Sequence, residues 1–187
     1  MITIDMAPPS VAKGLQPSAL TRFLNRARAI IGLRGQVDIL LANDHTLRQL
    51  NKTFRGKNKP TDVLSFPAPS AFAGKHAGDL AISLETAARQ AKTYNHTLAE
   101  ETKILILHGL LHLSGEDHEI DNGEMAAREA TLRRELRLPA TLIERTNASP
   151  SEKPSSTTKK ASTTSKKPLP RRVTSAIQSN KKKRGSK

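Results

Sequence analysis

Three of the six histidines lie close together in the sequence, at His108, His112 and His118. His108 and His112 are four residues apart, so on an α-helix they lie on one face, one turn apart. Gly115 predicts the end of that helix, because glycine adopts the left-handed conformation that ends helices at no steric cost. The chain then turns back toward His118. Three histidine nitrogens leave one position of a tetrahedral zinc ion open, which is typical of a catalytic site.

This histidine spacing is also that of the metzincin proteases, whose motif carries a glutamate general base directly after the first histidine. Here that residue is Gly109. The sequence therefore favours one zinc ion per chain without the base of a protease. The alternative, histidines of the core or surface that share no metal, stays open at this stage.

A basic stretch precedes a predicted strand and contains Lys52, Arg55, Lys57 and Lys59. Beside a metal site, such cations are candidates to bind a phosphate, and the planar guanidinium of arginine suits this best. We take Arg55 and the three lysines as candidates to bind a phosphate. The alternative is a solvated basic loop.

Two carboxylates, Glu116 and Asp117, lie inside the histidine stretch. Either is near enough in sequence to transfer a proton or to orient a ligand histidine, and Asp117 is a catalytic candidate. A purely structural role in the turn after Gly115 is the alternative.

Charge and composition differ between residues 1–146 and residues 147–187. Of 31 Lys+Arg and 17 Asp+Glu, residues 147–187 contain 12 cations and the single acid Glu152, which is +11 of the net +14. This segment is rich in Lys, Ser, Thr and Pro and has almost nothing to bury, so we predict a disordered basic tail after a domain over 1–146. The tail either binds RNA, DNA or anionic membrane through counterion release or is a solubilising extension.

The remaining composition favours a cytoplasmic protein. There is no cysteine, which excludes disulfides and thiolate metal sites. No apolar run reaches the ~18–20 residues of a membrane span, and no signal peptide is visible at the start.

Periodicity and capping residues predict alternating strands and helices, and hence an α+β or α/β layered fold. We take the α+β form: a small mixed sheet packed with helices in a single metallohydrolase-like domain. Helix stripes include Leu47, Leu50 and Phe54 pointing inward. Capping boxes are predicted at Thr97 with Glu100 and at Asp121 with Glu124. The predicted strands are 1–6, 37–41, 61–66 and 78–83, and the predicted helices are 17–31, 44–54, 84–94, 98–114 and one ending near 136.

Three motifs, in this order, resemble those of the bacterial YbeY endoribonucleases. The stretch from His108 to His118, HGLLHLSGEDH, is similar to the family signature HGxLHLxGxDH, with Glu116 where the family commonly has Tyr. The stretch from Asn51 to Pro67 and the run GDLAIS from Gly78 to Ser83 resemble two further signatures. The resemblance covers about residues 1–140 and leaves the tail outside.

The resemblance implies a zinc ion held by the three histidines and a functional arginine at Arg55, which becomes our first catalytic candidate. With RNA as the substrate, the three lysines become candidate RNA contacts. It also implies a single-strand-specific endoribonuclease that acts in 16S rRNA 3′-end maturation and in late-stage quality control of 70S ribosomes, with ribosomal RNA and the small ribosomal subunit as partners. Two rival functions remain: a zinc hydrolase acting on peptides or amides, and a non-catalytic ribosome-assembly factor with a structural metal.

Overall fold

The computed structural model describes residues 2–4, 12, 14–72, 74–118 and 120–139, and within these ranges it contains four strands and five α-helices. A short 3-10 helix over Ser70–Phe72 lies in the loop before the last strand. The elements in chain order are β1 (Ile2–Ile4), α1 (Pro17–Ile31), β2 (Gln36–Ala42), α2 (Asp44–Arg55), β3 (Val63–Pro67), β4 (His76–Ser83), α3 (Leu84–Thr93), α4 (Leu98–Leu113) and α5 (Glu124–Leu136).

The four strands form one mixed sheet in the order β1-β2-β4-β3. β1, β2 and β4 are parallel, whereas β3 runs antiparallel to β4 with Ser65 opposite Leu80. Side chains alternate across the sheet, so Val37, Ile39 and Leu41 of β2 point into the main core. This architecture confirms the predicted α+β fold with a small mixed sheet.

Helix α4 is buried on nearly all sides. It packs against β3 and β4 of the sheet and against α1, α3 and α5. The six consecutive residues from Ile104 to Gly109 are all buried, which explains why this helix appears in the sequence as a continuous apolar run rather than an amphipathic stripe. The element that carries two of the three histidines is therefore held rigidly in the core.

Helix α2 covers the other face of the sheet, where Leu47 packs with Ala42, Leu64 and Ala81. The prediction that Phe54 also points inward is wrong, since its side chain is 63% exposed. Phe54 occupies the last turn of α2, and its ring meets the Phe66 ring edge-on at a centroid distance of 5.1 Å. Partial aromatic contact thus replaces full burial at this end of the helix.

Side chains cap the starts of α2, α3 and α4. Asn43 accepts a hydrogen bond from the Thr46 amide (2.8 Å), and Ser83 accepts one from the Thr86 amide (3.2 Å). The capping box of α4 is complete, with Thr97 and Glu100 each accepting from the other's amide. These caps satisfy backbone donors that the first turn of a helix leaves unpaired.

The capping box predicted at Asp121 and Glu124 is wrong. The residue that caps α5 is Gly123, whose φ of 98° is left-handed and which has no side chain. Asp121 instead accepts from the amides of Gly123 and Met125, both at 2.8 Å. The carboxylate therefore still satisfies first-turn donors, but from two residues before the cap.

No helix in the described part of the chain is long and apolar enough to cross a membrane. The predicted disordered tail over 147–187 lies outside the described residues.

Candidate metal centre and its cleft

The first two histidines are positioned by one turn of α4. The Nε2 atoms of His108 and His112 are 3.2 Å apart, and the two ring centroids are 4.8 Å apart. Two ring nitrogens at this distance face a common point, as the four-residue spacing predicts. Because His108 is buried and α4 is packed on all sides, this point is fixed by the core.

The third histidine is brought in by the turn that ends α4. The Gly115 amide donates to the His112 carbonyl (3.0 Å), and the Glu116 amide donates to the Leu111 carbonyl (3.1 Å). This is the Schellman pattern, and it needs the left-handed φ of 92° that Gly115 adopts. The His118 ring then lies 5.1 Å and 5.2 Å from the His108 and His112 rings.

The three rings fit a divalent metal ion. One nitrogen from each histidine lies within 4.8 Å of those of the other two. Nδ1 of His118 is buried and has no hydrogen-bond partner among the described residues. Burial, followed by the nearby His108 and His118, lowers the pKa of His112 to about 4. His112 is therefore neutral at neutral pH, which is the form of imidazole that binds metals.

A carboxylate lies behind His108. Glu129, which is fully buried on α5, is 2.9 Å from Nδ1 of His108 through Oε2. Its other oxygen, Oε1, accepts from Nε of Arg133 at 2.8 Å. The sequence analysis did not identify Glu129, although the Glu129–Arg133 pair has the i,i+4 spacing of a helix ion pair.

Gly109 lies where helix α4 packs closely against the sheet. A Cβ atom at this position would lie 2.7 Å from Cδ2 of Leu80 and 3.3 Å from Oγ of Ser65. Helix α4 therefore approaches the sheet so closely that any side chain here would have to displace the buried side chain of Leu80. Gly109 stands in the position of the metzincin base, so the site lacks that base, which argues against the peptidase alternative.

The histidines open into a cleft of about 540 Å³. Arg55, the last residue of α2, is exposed and lines this cleft, as do Asp117 and all three histidines. The other lining residues are Thr61, Asp62, Val63, Ser65, Pro67, Gly115, Glu116 and Ile120. The structure thus brings Arg55 and the histidine group, more than fifty residues apart in sequence, to one cavity.

The three lysines of the basic stretch are placed differently. Lys52, Lys57 and Lys59 are exposed, and none of them lines the cleft that holds the histidines. Lys52 lines a separate surface groove with Phe54 on α2. Any contact of these lysines with a bound polymer would therefore lie outside the cleft.

The two carboxylates of the histidine stretch have different surroundings. Glu116 forms an ion pair with Arg128 of α5 and accepts from Oγ of Ser114 at 3.0 Å. Arg128 also donates to the carbonyl of Ile31 at 3.0 Å. Glu116 thus connects the turn to α5, whereas Asp117 is half-buried in the cleft lining directly before His118.

Comparison with known proteins identifies the family. The profile of the family described as endoribonuclease YbeY matches residues 12–137. An endoribonuclease YbeY from Koribacter versatilis is 53% identical over 133 residues, 71% of this chain and 86% of that protein. Another, from Solibacter usitatus, is 44% identical over 144 residues, 77% of this chain and 92% of that protein.

A solved structure shows a related fold. The solution structure of a Thermotoga maritima protein superimposes with a TM-score of 0.50 at 25% identity, covering 84% of this chain and all of that one. The family profile covers well over half of the chain and includes the three histidines, Arg55 and Glu129. The chain therefore belongs to the endoribonuclease YbeY family, which confirms the family and the enzyme class that its three sequence motifs indicated.

Proposed function

We propose that this protein is a zinc-dependent endoribonuclease that cuts single-stranded RNA in the cleft of the three histidines. The observation that carries the proposal is the placement of His108, His112, His118 and Arg55 around one cavity. The relatives are named endoribonucleases, and a phosphodiester is a substrate that such a site suits.

The three histidines would hold the metal. Three imidazole ligands suit zinc, and they leave a coordination position open. A bound zinc ion supplies a Lewis acid that activates water near neutral pH and polarises a phosphoryl oxygen. His112, whose pKa is lowered to about 4, needs no deprotonation to act as a ligand at neutral pH.

Arg55 would bind the phosphate under attack. Attack on a phosphodiester develops charge on the non-bridging oxygens, and a guanidinium offers them a planar fork of donors. Arg55 is exposed at the rim of the cleft, at the end of a helix whose C-cap is Gly56. Its side chain can therefore reach a backbone phosphate from outside the protein core.

Asp117 is the candidate for moving a proton. It is half-buried in the cleft lining, directly before the ligand His118. A carboxylate there is within range to accept a proton from the nucleophile or to orient a neighbouring group. Glu116, which is engaged with Arg128, is less suited to this role.

The resemblance implies a preference for single strands, and the size of the cleft is compatible with it. A cavity of about 540 Å³ is within the range that holds a drug-sized ligand, which corresponds to a short stretch of one strand. A base-paired diester would have to enter together with its complement. The unpaired strand therefore has the easier access to the histidines.

The cellular role proposed here rests on the family resemblance alone. It is 16S rRNA 3′-end maturation and late-stage quality control of 70S ribosomes in the cytoplasm, with ribosomal RNA and the small ribosomal subunit as partners. The non-catalytic alternative, an assembly factor with a structural metal, would have no need of Arg55 in the cleft.

Cleavage of matched RNAs by the purified full-length protein tests the proposal. We expect a single-stranded RNA to be cut, its duplex to be resistant, and activity to be lost with a chelator and restored by zinc. Casein, as a protease substrate, should remain intact. Chelator-resistant cleavage, or cleavage by His118→Ala at the parental rate, would show that the histidine group is not the active site.

The same assay identifies the nucleophile. Either water or the RNA 2′-hydroxyl can attack phosphorus, and the geometry is compatible with both. A substrate with one 2′-deoxynucleotide at the cleaved position is cut only if water attacks. The chemistry of the new RNA ends distinguishes the same two routes.

A further inference from the structure

We propose that Glu129, itself fixed by Arg133, is a positioning residue that holds His108 in the tautomer with hydrogen on Nδ1. His108 then presents the lone pair of Nε2 to the position shared with His112 and His118. This inference rests on the proposed metal site, and it assigns a role to two residues of α5 that line no part of the cleft.

The contacts form a continuous buried chain. Oε2 of Glu129 is 2.9 Å from Nδ1 of His108, and Oε1 accepts from Nε of Arg133 at 2.8 Å. The guanidinium of Arg133 also donates through Nη1 to the carbonyl of Pro139 at 3.1 Å. Glu129 and Arg133 are 0% and 2% exposed, so bulk water does not compete for these contacts.

This series of hydrogen bonds determines which ring nitrogen of His108 carries the hydrogen. An ionised carboxylate only accepts, so the nitrogen facing it must be the donor. Nε2 of His108 then carries a lone pair, and this atom is the one 3.2 Å from Nε2 of His112. A carboxylate behind a ligand histidine fixes the tautomer and ring orientation in this way in many metal sites.

Arg133 determines which carboxylate oxygen of Glu129 is available to His108. Its Nε donates to Oε1, and its Nη2 lies 2.6 Å from the same oxygen, which leaves Oε2 for His108. If Glu129 were a glutamine, its one oxygen would be drawn to the guanidinium and its amide NH2 would face His108. Nδ1 of His108 would have to accept, and the hydrogen would move to Nε2, where it blocks metal binding.

A second histidine–glutamate pair provides a matched control. Glu101 of α4 is also 0% exposed, and it lies 3.2 Å from Nδ1 of His96. His96 is not in the group that faces the cleft. Glu101→Gln therefore removes the same charge from the same kind of buried pair without touching a candidate ligand.

The decisive comparison is between two double variants, Glu129→Gln/Arg133→Met and Glu129→Leu/Arg133→Met. Both lack the buried charges, so neither leaves an unpaired ion, and replacing a buried ion pair by apolar groups is often neutral for stability. Only the glutamine variant keeps an acceptor for His108, because no guanidinium competes for its oxygen.

Zinc affinity of each metal-free, refolded protein would be measured by competition with a chromophoric chelator. We expect Glu129→Gln and Glu129→Leu/Arg133→Met to bind about 10–100-fold more weakly than the parent, the range typical of lost outer-shell partners. Glu129→Gln/Arg133→Met should regain most of the affinity. Glu101→Gln should match the parent.

A spectroscopic readout separates positioning from general loosening of the core. The nitrogen-15 shifts of His108 in the metal-free protein report which nitrogen carries hydrogen. We expect hydrogen on Nδ1 in the parent and in Glu129→Gln/Arg133→Met, and on Nε2 in Glu129→Gln. If Glu129→Gln does not fold, the two double variants alone make the comparison.

Equal zinc affinity of the two double variants, or hydrogen on Nε2 of His108 in the parent, would overturn the positioning role. These results are distinguishable from failure of the proposed function. A parent protein that binds no zinc contradicts the metal site itself, whereas a parent that binds zinc with no dependence on Glu129 contradicts only this inference.

Discussion

At the residue scale, each of the three histidines contributes a nitrogen to one common point, so the proposed zinc site requires all three. We expect one zinc ion per purified chain, and loss of that zinc in His108→Ala, His112→Ala or His118→Ala, because two imidazoles leave too few ligands for a stable site. Elemental analysis after dialysis gives the stoichiometry. Exposed His45 is the control, and His45→Ala should keep its zinc. Unchanged zinc in all three ligand variants would contradict the site.

Arg55 is the one basic residue of its stretch that lines the cleft. We expect Arg55→Ala to lower kcat by about 10²–10³-fold, the cost typical of losing a group that stabilises developing charge. Arg55→Lys should be impaired less, because it keeps the charge and loses the fork. Zinc content should be intact in both.

Lys57→Ala is the matched control for Arg55, since Lys57 is exposed in the adjoining loop but does not line the cleft. Its kcat should equal that of the parent. Parental kcat in Arg55→Ala would show that this arginine does not contact the reacting phosphate.

The site residues that could be predicted from the sequence are those that spacing within a single element specifies. His108, His112 and Gly115 are specified by spacing within one helix and its cap. Glu129 lies 21 residues after His108 on another helix, and in the sequence a glutamate followed four residues later by an arginine is typical of a solvated face. Only the packing of α5 on α4 shows that this pair is buried.

At the element scale, the approach of α4 to β4 depends on Gly109. We expect Gly109→Ala to destabilise the protein by about 1–3 kcal/mol, as overpacking does, although alanine favours helices. Urea unfolding gives the free energy. The added methyl would contact Leu80, which is 1% exposed, so the displacement has to occur inside the core.

A double-mutant cycle locates the clash. Leu80→Ala alone should cost about 2–5 kcal/mol, but clearly less in the Gly109→Ala background, because the cavity accepts the new methyl. Additive costs would show that the strain of Gly109→Ala arises somewhere other than the contact with Leu80.

Asp44 connects the start of α2 with the start of α3. Oγ1 of Thr86 donates to its Oδ1 at 2.7 Å, Nη2 of Arg89 donates to its Oδ2 at 2.8 Å, and Ser83 also donates to it. Partial burial raises the pKa of Asp44, but the hydrogen bonds from Ser83, Thr86 and Arg89 outweigh it and lower the pKa below 3.8.

This pKa shift gives the stability a defined pH dependence. A carboxyl whose pKa is lower in the folded state stabilises fully above its unfolded pKa, 3.8, and loses that contribution as pH falls to the folded pKa. We expect Asp44→Asn to cost about 2 kcal/mol at pH 7, and this difference should shrink below pH 3.8.

Urea unfolding at a series of pH values measures this difference between parent and variant. Arg89→Ala is the control: its side chain is 61% exposed, so solvent screens the ion pair and the cost at pH 7 should be well under 1 kcal/mol. A cost of Asp44→Asn that is the same at pH 7 and pH 3 would assign it to lost packing rather than to the carboxylate.

The sequence predicted which segments are helices or strands more accurately than it predicted the residues at which they begin and end. The runs that predicted strands at 37–41 and 78–83 lie inside β2 and β4, and local caps such as Thr97 with Glu100 were confirmed. Thr61 and Asp62 precede β3 instead of belonging to it, and the Asp62 carboxylate accepts from the amide of its neighbour, Val63. The φ of Gly123 likewise could not be derived from residue types.

At the scale of the whole molecule, the charge and the family match occupy different parts of the chain. The family profile ends at residue 137, whereas residues 147–187 hold 12 of the 31 Lys+Arg and a net charge of +11. The histidines, Arg55 and Glu129 all lie before the basic segment. The concentrated positive charge and the candidate site are therefore separate along the sequence.

We expect residues 147–187 to raise affinity for RNA without taking part in catalysis. A chain ending at residue 146 should bind zinc and reach the parental kcat at saturating RNA, but it should have a higher KM at low salt. Each cation paired with a phosphate releases counterions, so the logarithm of affinity should also fall less steeply with the logarithm of salt concentration.

A full-length variant with Lys181, Lys182, Lys183 and Arg184 changed to serine separates charge from length. It should lie between the parent and the truncated chain in KM and in salt slope, because it keeps eight of the tail's 12 cations. Equal affinities and equal salt slopes in all three proteins would show that the tail is a passive extension. Lost zinc or a collapsed kcat in the truncated chain would show instead that the active domain extends into the tail.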